Sequence, residues 1–218
     1  MHLVQLYRID ITRRLVYYRH EERCMGKTTA KESILLSGAR LIHEKGYNNT
    51  GLKEILDAAG IPKGSFYFHF NSKEDFGLQV VDTYASFLRR VAHRHLSGTA
   101  LPPLSRIESF FDFYIEHFKR MDLRYGCPIG KLMQEMSDLS EPFREKIGSV
   151  YDELCSLIRQ CLDDARRAGD LREDLDTKEA AQFVFDSWEG AIMHMKLVRS
   201  PDPLLSCKKM LLSTLLRP

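Results

Sequence analysis

Apolar residues recur at helical spacing along most of the chain after Lys27. They fall at intervals of three and four residues, which places them on one face of an α-helix. The stretches that show this pattern are 52–59, 76–91, 107–118, 143–161, 180–195 and 204–215. Sustained alternation of apolar and polar residues, the mark of a half-buried strand, does not occur in this part of the sequence. The pattern predicts an all-α protein.

Glycine, proline and N-cap residues separate these stretches. Gly46 is expected to end the first helix, and Gly60-Ile61-Pro62 to separate the second from the third. Ser72 is a favourable start for the fourth helix because its hydroxyl can accept a free backbone N–H, and Glu74-Asp75 suit the helix dipole. The remaining breaks are 98–103, 126–128, 140–142, 169–170 and 201–203. Together they predict nine helices.

Composition and charge narrow the class of protein without naming a partner. The 218 residues are 44% hydrophobic and 28% charged, and no apolar run approaches the ~20 residues that span a bilayer. The five cysteines lack zinc-site spacing, so we expect reduced thiols, a cytoplasmic location, and no metal or cofactor. Residues 1–75 carry 12 Lys/Arg and 9 Asp/Glu, whereas residues 76–218 carry 20 and 21. A slightly basic N-terminal part is compatible with nucleic-acid contact.

Residues 1–26 stand apart from the helical pattern. Charged residues, among them Arg13 and Arg14, interrupt the apolar run that a secretory signal needs. Two interpretations stay open for this segment. It is either a basic arm that lies along a phosphate backbone, or an upstream stretch that precedes a true start at Met25. No function is assigned to it.

The two short helices on either side of Gly60-Ile61-Pro62 have the sequence form of a helix-turn-helix. The second is expected to run from Lys63 to Phe70 and to enter the major groove with its first residues. Lys63 can reach guanine acceptors, Gly64 permits close backbone approach, and Ser65 offers a small hydroxyl. These three residues are the predicted base contacts.

Other polar residues of the same segment suit phosphate contacts, which set orientation rather than sequence choice. They are Tyr67, His69 and, in the first turn of the next helix, Lys73. Phe66 and Phe70 lie four residues apart and would anchor the short helix. The alternative interpretation is that the aromatic residues are only the core of a helical hairpin that binds no DNA.

Residues 34–80 carry a specific set of motifs: Ala39–Ile42, Gly46-Tyr47, Ala58–Ile61, Lys63–Phe70 and Ser72–Glu74. In these motifs the segment resembles the N-terminal domain of the TetR/AcrR family of transcriptional regulators. The resemblance implies base contacts by Lys63, Gly64, Ser65 and Tyr67, and phosphate contacts by Tyr67, His69 and Lys73. At Gly51 the family usually has Ser or Thr, so Thr50 or the backbone N–H groups at the helix start are expected to contact phosphate instead.

Cys127 is the most informative residue of the C-terminal part. Pro128 is a favourable first helical residue, which places Cys127 at the N-cap. The helix dipole and Lys131, one turn later, are expected to favour the thiolate, the form that attacks electrophiles and oxidants. The alternative is a buried structural cysteine. The residues themselves do not decide between the two.

A second set of motifs is Gly126-Cys127, Lys131-Leu132, Glu135, Asp138–Glu141, Trp188–Ala191, Lys196 and Arg199-Ser200. They resemble a NemR- and AcuR-like branch of the same family, which contains electrophile-responsive repressors. The resemblance implies that Cys127 reacts with electrophiles or oxidants and that Lys196 is its partner. The alternative is a TetR-type regulator that a reversible apolar ligand induces, with a structural Cys127. Trp188 could line the ligand pocket, although aromatic residues at helical spacing are more often core.

These observations together predict a nine-helix TetR-type repressor. We expect a helix-turn-helix domain over 27–72, a connecting helix over 73–97, and a sensor and dimerisation domain over 98–218. The stripes at 143–168 and 178–197 are the candidate surface of a homodimer, which would pair two recognition helices on palindromic double-stranded DNA. A small-molecule inducer would release the DNA. A thiol enzyme is disfavoured because no catalytic triad spacing is visible.

Overall fold

The structure is a computed structural model that describes residues 29–216. Within this range the chain forms nine α-helices and no strand, so the all-α prediction is confirmed. The helices are α1 (Ala30–Lys45), α2 (Leu52–Ala59), α3 (Phe66–His69), α4 (Lys73–Leu96), α5 (Pro103–Arg120), α6 (Pro128–Met136), α7 (Glu141–Arg167), α8 (Thr177–Val198) and α9 (Asp202–Met210). A π turn, Leu211–Leu215, follows α9. The predicted leader, 1–26, lies outside the described residues.

Side-chain caps define where several helices begin. The Thr29 hydroxyl accepts from the Glu32 N–H at 3.2 Å, and the Glu32 carboxylate accepts from the Thr29 N–H at 2.8 Å, which makes a capping box at the start of α1. The Ser72 hydroxyl accepts from the Asp75 N–H at 3.0 Å, so the predicted cap of α4 is confirmed. Each cap satisfies N–H groups that have no partner within the helix.

The long helix α4 joins the two ends of the molecule. It packs against α1 on the N-terminal side and against α5 and α7 on the C-terminal side. Its buried face includes Val80, Tyr84 and Leu88, and the Tyr84 hydroxyl donates to the Ala39 carbonyl of α1 at 2.5 Å. The helix α4 thus connects α1 to the C-terminal helices through a continuous packed core.

The C-terminal helices pack around α7, which contacts α4, α5 and α8. The Arg89 guanidinium of α4 binds the Glu153 carboxylate of α7 at 2.7 Å, and the Tyr151 hydroxyl of α7 donates to Asp186 of α8 at 2.8 Å. Among the described helices, none is both long enough and apolar enough to cross a membrane.

Candidate functional site

The predicted recognition helix begins as a 3₁₀ turn, Lys63–Ser65, and continues as the four-residue α3. This differs from the continuous α-helix that the sequence predicts, and tight turns of this kind are common at helix starts. Phe66 and Phe70 are 1% and 2% exposed, and their ring centroids lie 5.1 Å apart. The two rings also contact Phe76 of α4, so the predicted anchors hold the segment on the core.

The opposite side of this segment faces outward. Lys63 and Gly64 are exposed, and Ser65 and His69 are half-buried. Tyr67 is 69% exposed and Phe68 is 86% exposed. The structure therefore brings five of the seven predicted DNA contacts onto one free face and adds Phe68, which the sequence analysis treated only as a core aromatic. An exposed phenyl ring suits contact with a thymine methyl group.

Thr50 does not fit its predicted role. The side chain is 0% exposed, and its hydroxyl donates to the Gly46 carbonyl at 2.6 Å. Thr50 closes the turn before α2, so the prediction that its hydroxyl contacts phosphate is wrong. Gly51, the N-cap of α2, is exposed and open around its Cα, which leaves the backbone N–H groups of the first turn as the donors at this helix start.

Lys73 is held inside the protein rather than extended from it. Its Nζ donates to the Tyr47 carbonyl at 3.0 Å and lies 4.6 Å from the centroid of the Tyr47 ring. Partial burial lowers the pKa of Lys73, although Glu135 opposes this shift. A phosphate contact by Lys73 would have to compete with these contacts.

Cys127 is the N-cap of α6, as the sequence predicts. Its Sγ accepts from the Gly130 N–H at 3.4 Å, and Pro128 occupies the first turn of the helix. The side chain is only 9% exposed. The thiol therefore sits at the positive end of a helix but away from bulk water.

The prediction that the surroundings of Cys127 favour the thiolate is wrong. Burial raises the pKa of the Cys127 thiol well above its usual range, and the nearby Glu189 carboxylate raises it further. Hydrogen bonds from backbone N–H groups at the start of α6 act in the opposite direction but do not prevail. Lys131 does not assist, because its Nζ donates to the carbonyls of His43 and Glu44 at 2.9 and 3.2 Å. At neutral pH the thiol is protonated.

Glu189 of α8 is the polar partner of this thiol. The two side chains line the same two spaces in the protein. Burial raises the pKa of Glu189 to about 7, with the neighbouring Cys127 thiol opposing the rise and Asp186 adding to it. The close approach of Glu189 depends on Gly130, since a Cβ at that position would lie 2.3 Å from the Glu189 Oε2.

Two spaces meet at Cys127 and Glu189. On the outer side is a cleft of about 450 Å³, whose lining includes Lys196, the predicted partner of Cys127. On the inner side is an apolar cavity of about 20 Å³, close to the volume of one water molecule, whose lining includes Trp188. Trp188 is buried, and its indole N–H has no hydrogen-bond partner among the described residues. The structure thus places Lys196 in the wall of the outer cleft and Trp188 in the wall of the inner cavity, the two spaces that meet at the Cys127 thiol.

The loop before Cys127 is bonded directly to α1. The His43 Nε2–H donates to the Gly126 carbonyl at 2.8 Å. His43 is buried, and burial lowers its pKa to about 4, so the ring is neutral at physiological pH. The Lys131 contacts with the last carbonyls of α1 lie beside it. Cations suit this end of a helix because its carbonyls have no partner within the helix.

Glu135 of α6 extends this contact to the segment that leads into α2. Its carboxylate accepts from the Tyr47 N–H at 2.8 Å and from the Asn48 N–H at 2.7 Å. Gly46 makes room for it, because a Cβ there would lie 2.7 Å from the Glu135 Oε2, and its φ of +97° is one that glycine adopts readily. We call the contacts of Gly126, Lys131 and Glu135 with residues 43–48 the α6–α1 junction.

Sequence reasoning missed three residues at the junction and around the thiol, which are His43, Glu135 and Glu189. It also missed Phe68 on the recognition segment. Glu135 and Glu189 stand in motifs that carry the family resemblance, which was the available signal, but no role was assigned to them. Partners such as His43 and Gly126, 83 residues apart in sequence, have no local signature. Their relation depends on how α6 docks on α1.

Two family profiles match this chain. A family profile described as "Bacterial regulatory proteins, tetR family" matches residues 34–80, and one described as "Tetracyclin repressor-like, C-terminal domain" matches residues 103–211. The first profile covers α2 and α3 with most of α1, and the second covers α5–α9. The two matches together include both the recognition segment and the surroundings of Cys127.

Individual relatives extend over most of the chain. The HTH-type transcriptional repressor DhaR of Mycobacterium sp. (strain GP1) is 33% identical over 83% of this chain and 89% of its own. The transcriptional regulator AcuR of Cereibacter sphaeroides is 37% identical over 81% of both chains. The crystal structure of reduced E. coli NemR superposes with a TM-score of 0.77 at 29% identity, covering 86% of this chain and 97% of NemR. The chain belongs to the tetR family of bacterial transcriptional regulators.

Proposed function

We propose that this regulator is a homodimeric repressor that leaves a palindromic operator when an electrophile or oxidant modifies Cys127. Named relatives that act as repressors, DhaR and NemR, support the sign of regulation. The observation that carries the proposal is the α6–α1 junction, because it ties the helix capped by Cys127 to the helix that precedes the DNA-binding turn.

The DNA-facing part of the proposal rests on the free face of the recognition segment. Lys63, Gly64 and Ser65 lead this segment and would meet base edges, with Tyr67 and Phe68 following. His69, Lys73 and the first backbone N–H groups of α2 would hold phosphates. Lys73 would exchange its Tyr47 carbonyl for a phosphate oxygen, an acceptor of greater charge.

The dimer part rests on an exposed apolar surface of α8. Phe183 and Val198 are about half exposed, and Met193 and Leu197, which also line the outer cleft, are 53% and 79% exposed. A helix that buries one face in its own subunit and presents these side chains on another suits pairing with a second copy. Two copies related by a twofold axis would place two recognition helices on successive turns of one DNA face.

Modification of Cys127 would act by size and position. The inner cavity beside the thiol holds only about 20 Å³, so an adduct that extends into it would displace α6 or α8. Movement of α6 would strain the contacts of Lys131 and Glu135 with residues 43–48 and so move α1. A 100-fold loss of operator affinity requires about 2.7 kcal/mol of difference between the two arrangements, which is comparable to one or two of these charged hydrogen bonds.

The experiment is a gel-shift titration on the promoter DNA beside the gene, with and without an electrophile such as N-ethylmaleimide. Wild type should bind in its absence and lose affinity by about 100-fold in its presence. Cys127→Ser should bind and resist release. Cys207→Ser is the matched control, because Cys207 is more accessible than Cys127 and lies outside the site, so this variant should be released like wild type. Equal release of Cys127→Ser and wild type would contradict the sensor role.

A second candidate is release by a reversible ligand held in the outer cleft. The volume of about 450 Å³ is within the range of small-molecule sites, and Lys131, Lys196 and Arg199 give its lining a positive character. Under this mechanism Cys127 is only part of the wall, and release by the ligand survives Cys127→Ser. The same titration distinguishes the two candidates.

A further inference from the structure

We propose that Glu189 is the proton acceptor that makes Cys127 reactive toward electrophiles, and that the two residues form a buried acid–base pair. The inference rests on the proposed sensor role of Cys127 and assigns a residue to which that role gives no task. It resolves a conflict in the site, since a reactive thiol is required where a free thiolate is disfavoured.

The geometry already holds the pair together. A Cβ placed on Gly130 would lie 2.3 Å from the Glu189 Oε2 and 3.6 Å from the Cys127 Cβ, so the carboxylate lies beside the thiol whose proton it would accept. Both residues line the outer cleft and the inner cavity, which gives an electrophile access from one side and an apolar wall on the other. Gly130 leaves the space that the carboxylate occupies.

The reaction is a balanced addition. The thiol proton passes to the Glu189 carboxylate as the sulfur electron pair forms a bond to the β-carbon of an α,β-unsaturated carbonyl compound. The π electrons of the double bond move toward the carbonyl as an enolate. The proton then returns from Glu189 to the α-carbon. The product contains every atom of both reactants, and no oxidant or reductant is needed. The thiolate exists only during the transfer, which a buried site tolerates better than a permanent charge.

Trp188 offers a hydrogen-bond donor on the inner side of the thiol, where an enolate oxygen that enters the inner cavity would lie. It lines the inner cavity beside Cys127, and its indole N–H has no hydrogen-bond partner among the described residues. A buried donor without a partner is costly, and a developing negative oxygen is the acceptor that would satisfy it. The ring is held in place by Phe111, with the two ring centroids 4.3 Å apart.

Other titratable groups surround the pair and bear on its pH dependence. Asp186 on α8 raises the pKa of Glu189, and Tyr114 on α5 faces both Glu189 and Cys127 with its own pKa raised by burial. The cationic or basic side chains that share the outer cleft with the pair are His43, Lys131, Lys196 and Arg199. A test must therefore compare variants rather than interpret the pH profile of the wild type alone.

The test is the rate at which N-ethylmaleimide modifies Cys127 in the full-length protein, measured by peptide mapping between pH 5.5 and 9. In the wild type the rate should rise through about pH 7 as Glu189 ionises, and then level. Glu189→Gln should react at least about tenfold more slowly at pH 7.5, with a rate that still rises at the highest pH. Glu179→Gln, an exposed change on the same helix, should match the wild type.

The opposite result is equally well defined. If Glu189 only opposes the thiolate by its charge, Glu189→Gln will react as fast as the wild type or faster, and the inference fails. Gly130→Ala gives a second test that keeps the carboxylate but displaces it, and it should also slow the reaction. The two proposals fail separately, since release that survives Cys127→Ser refutes the sensor, whereas fast modification of Glu189→Gln refutes only the base.

Discussion

The recognition segment and the thiol site differ in their exposure to solvent. Lys63–Phe70 keeps two aromatic anchors inside and leaves its polar residues outside, where each can act without help from distant parts of the chain. Cys127 is buried, and its ionisation depends on Glu189 and on the start of α6. The proposed DNA contacts require access to solvent, whereas the proposed sensor residue lies where neighbouring groups control its ionisation.

The two regions are therefore expected to respond differently to substitution. A substitution on the free face of the recognition segment would alter one proposed contact with DNA. A substitution at the thiol site alters the pKa values and positions of several neighbours, because burial couples them. The α6–α1 junction links the buried thiol site to the helix that precedes the exposed recognition segment.

The largest contrast is expected between two phenylalanines two residues apart. Phe66→Ala removes a ring that is 1% exposed and should lower the free energy of unfolding by about 3–5 kcal/mol. Phe68→Ala removes a ring that is 86% exposed and should change it by less than about 0.5 kcal/mol while weakening operator binding. Urea denaturation and gel shifts measure both effects. A large loss of stability in Phe68→Ala would show that the Phe68 ring packs against the rest of the protein.

The junction should make folding sensitive to acid. The folded-state pKa of His43 is lowered to about 4, so its contribution to stability is complete above pH 6.5 and is lost as the pH falls through 4. This contribution is at most about 3 kcal/mol. His43→Gln keeps a donor for the Gly126 carbonyl and should lose less stability over this interval, as measured by urea denaturation at each pH.

His93→Gln is the matched control for this pH series. It removes an exposed histidine of α4 without touching the junction, so its loss of stability between pH 6.5 and 4 should equal that of the wild type. The same loss in His43→Gln would mean that His43 does not titrate as its burial requires.

A smaller effect is expected from Glu135. Glu135→Ala removes a carboxylate that holds two backbone N–H groups, and should lower the free energy of unfolding by about 2 kcal/mol while weakening operator binding. Glu153→Ala breaks a half-exposed ion pair with Arg89 and should cost less than about 1 kcal/mol. Urea denaturation and gel shifts compare the two. Equal losses of stability and operator affinity in the two variants would show that Glu135 contributes no more than an ordinary surface ion pair.

Most of the fold could be predicted because its signals are local. Helical periodicity, the Ser72 cap and the breaks at Gly46 and Gly60–Pro62 each act within one or two turns. Nine helices follow from counting such signals, and nine occur in the described residues. The 3₁₀ start of the recognition segment was missed, because α and 3₁₀ turns share the same residue preferences at helix starts.

The sites could be predicted only in part, because exposure and ionisation are properties of the whole molecule. The sequence shows Thr50 as a polar residue before a helix, but only the fold shows that its hydroxyl turns inward to Gly46. Similarly, the helix dipole at Cys127 is a local effect, whereas the burial and the Glu189 carboxylate that outweigh it come from tertiary packing. The position of Cys127 at the N-cap could therefore be predicted from the sequence, but the protonation state of its thiol could not.

The junction has an evolutionary consequence that follows from its choice of atoms. The α6 side chains Lys131 and Glu135 form hydrogen bonds with main-chain groups of residues 43–48, and almost any amino acid supplies such groups. The side chains that would read the operator begin at Lys63, outside this segment. If the proposed roles hold, changes from Lys63 onward would redirect such a regulator to new promoters and leave the proposed sensor at Cys127 unaltered.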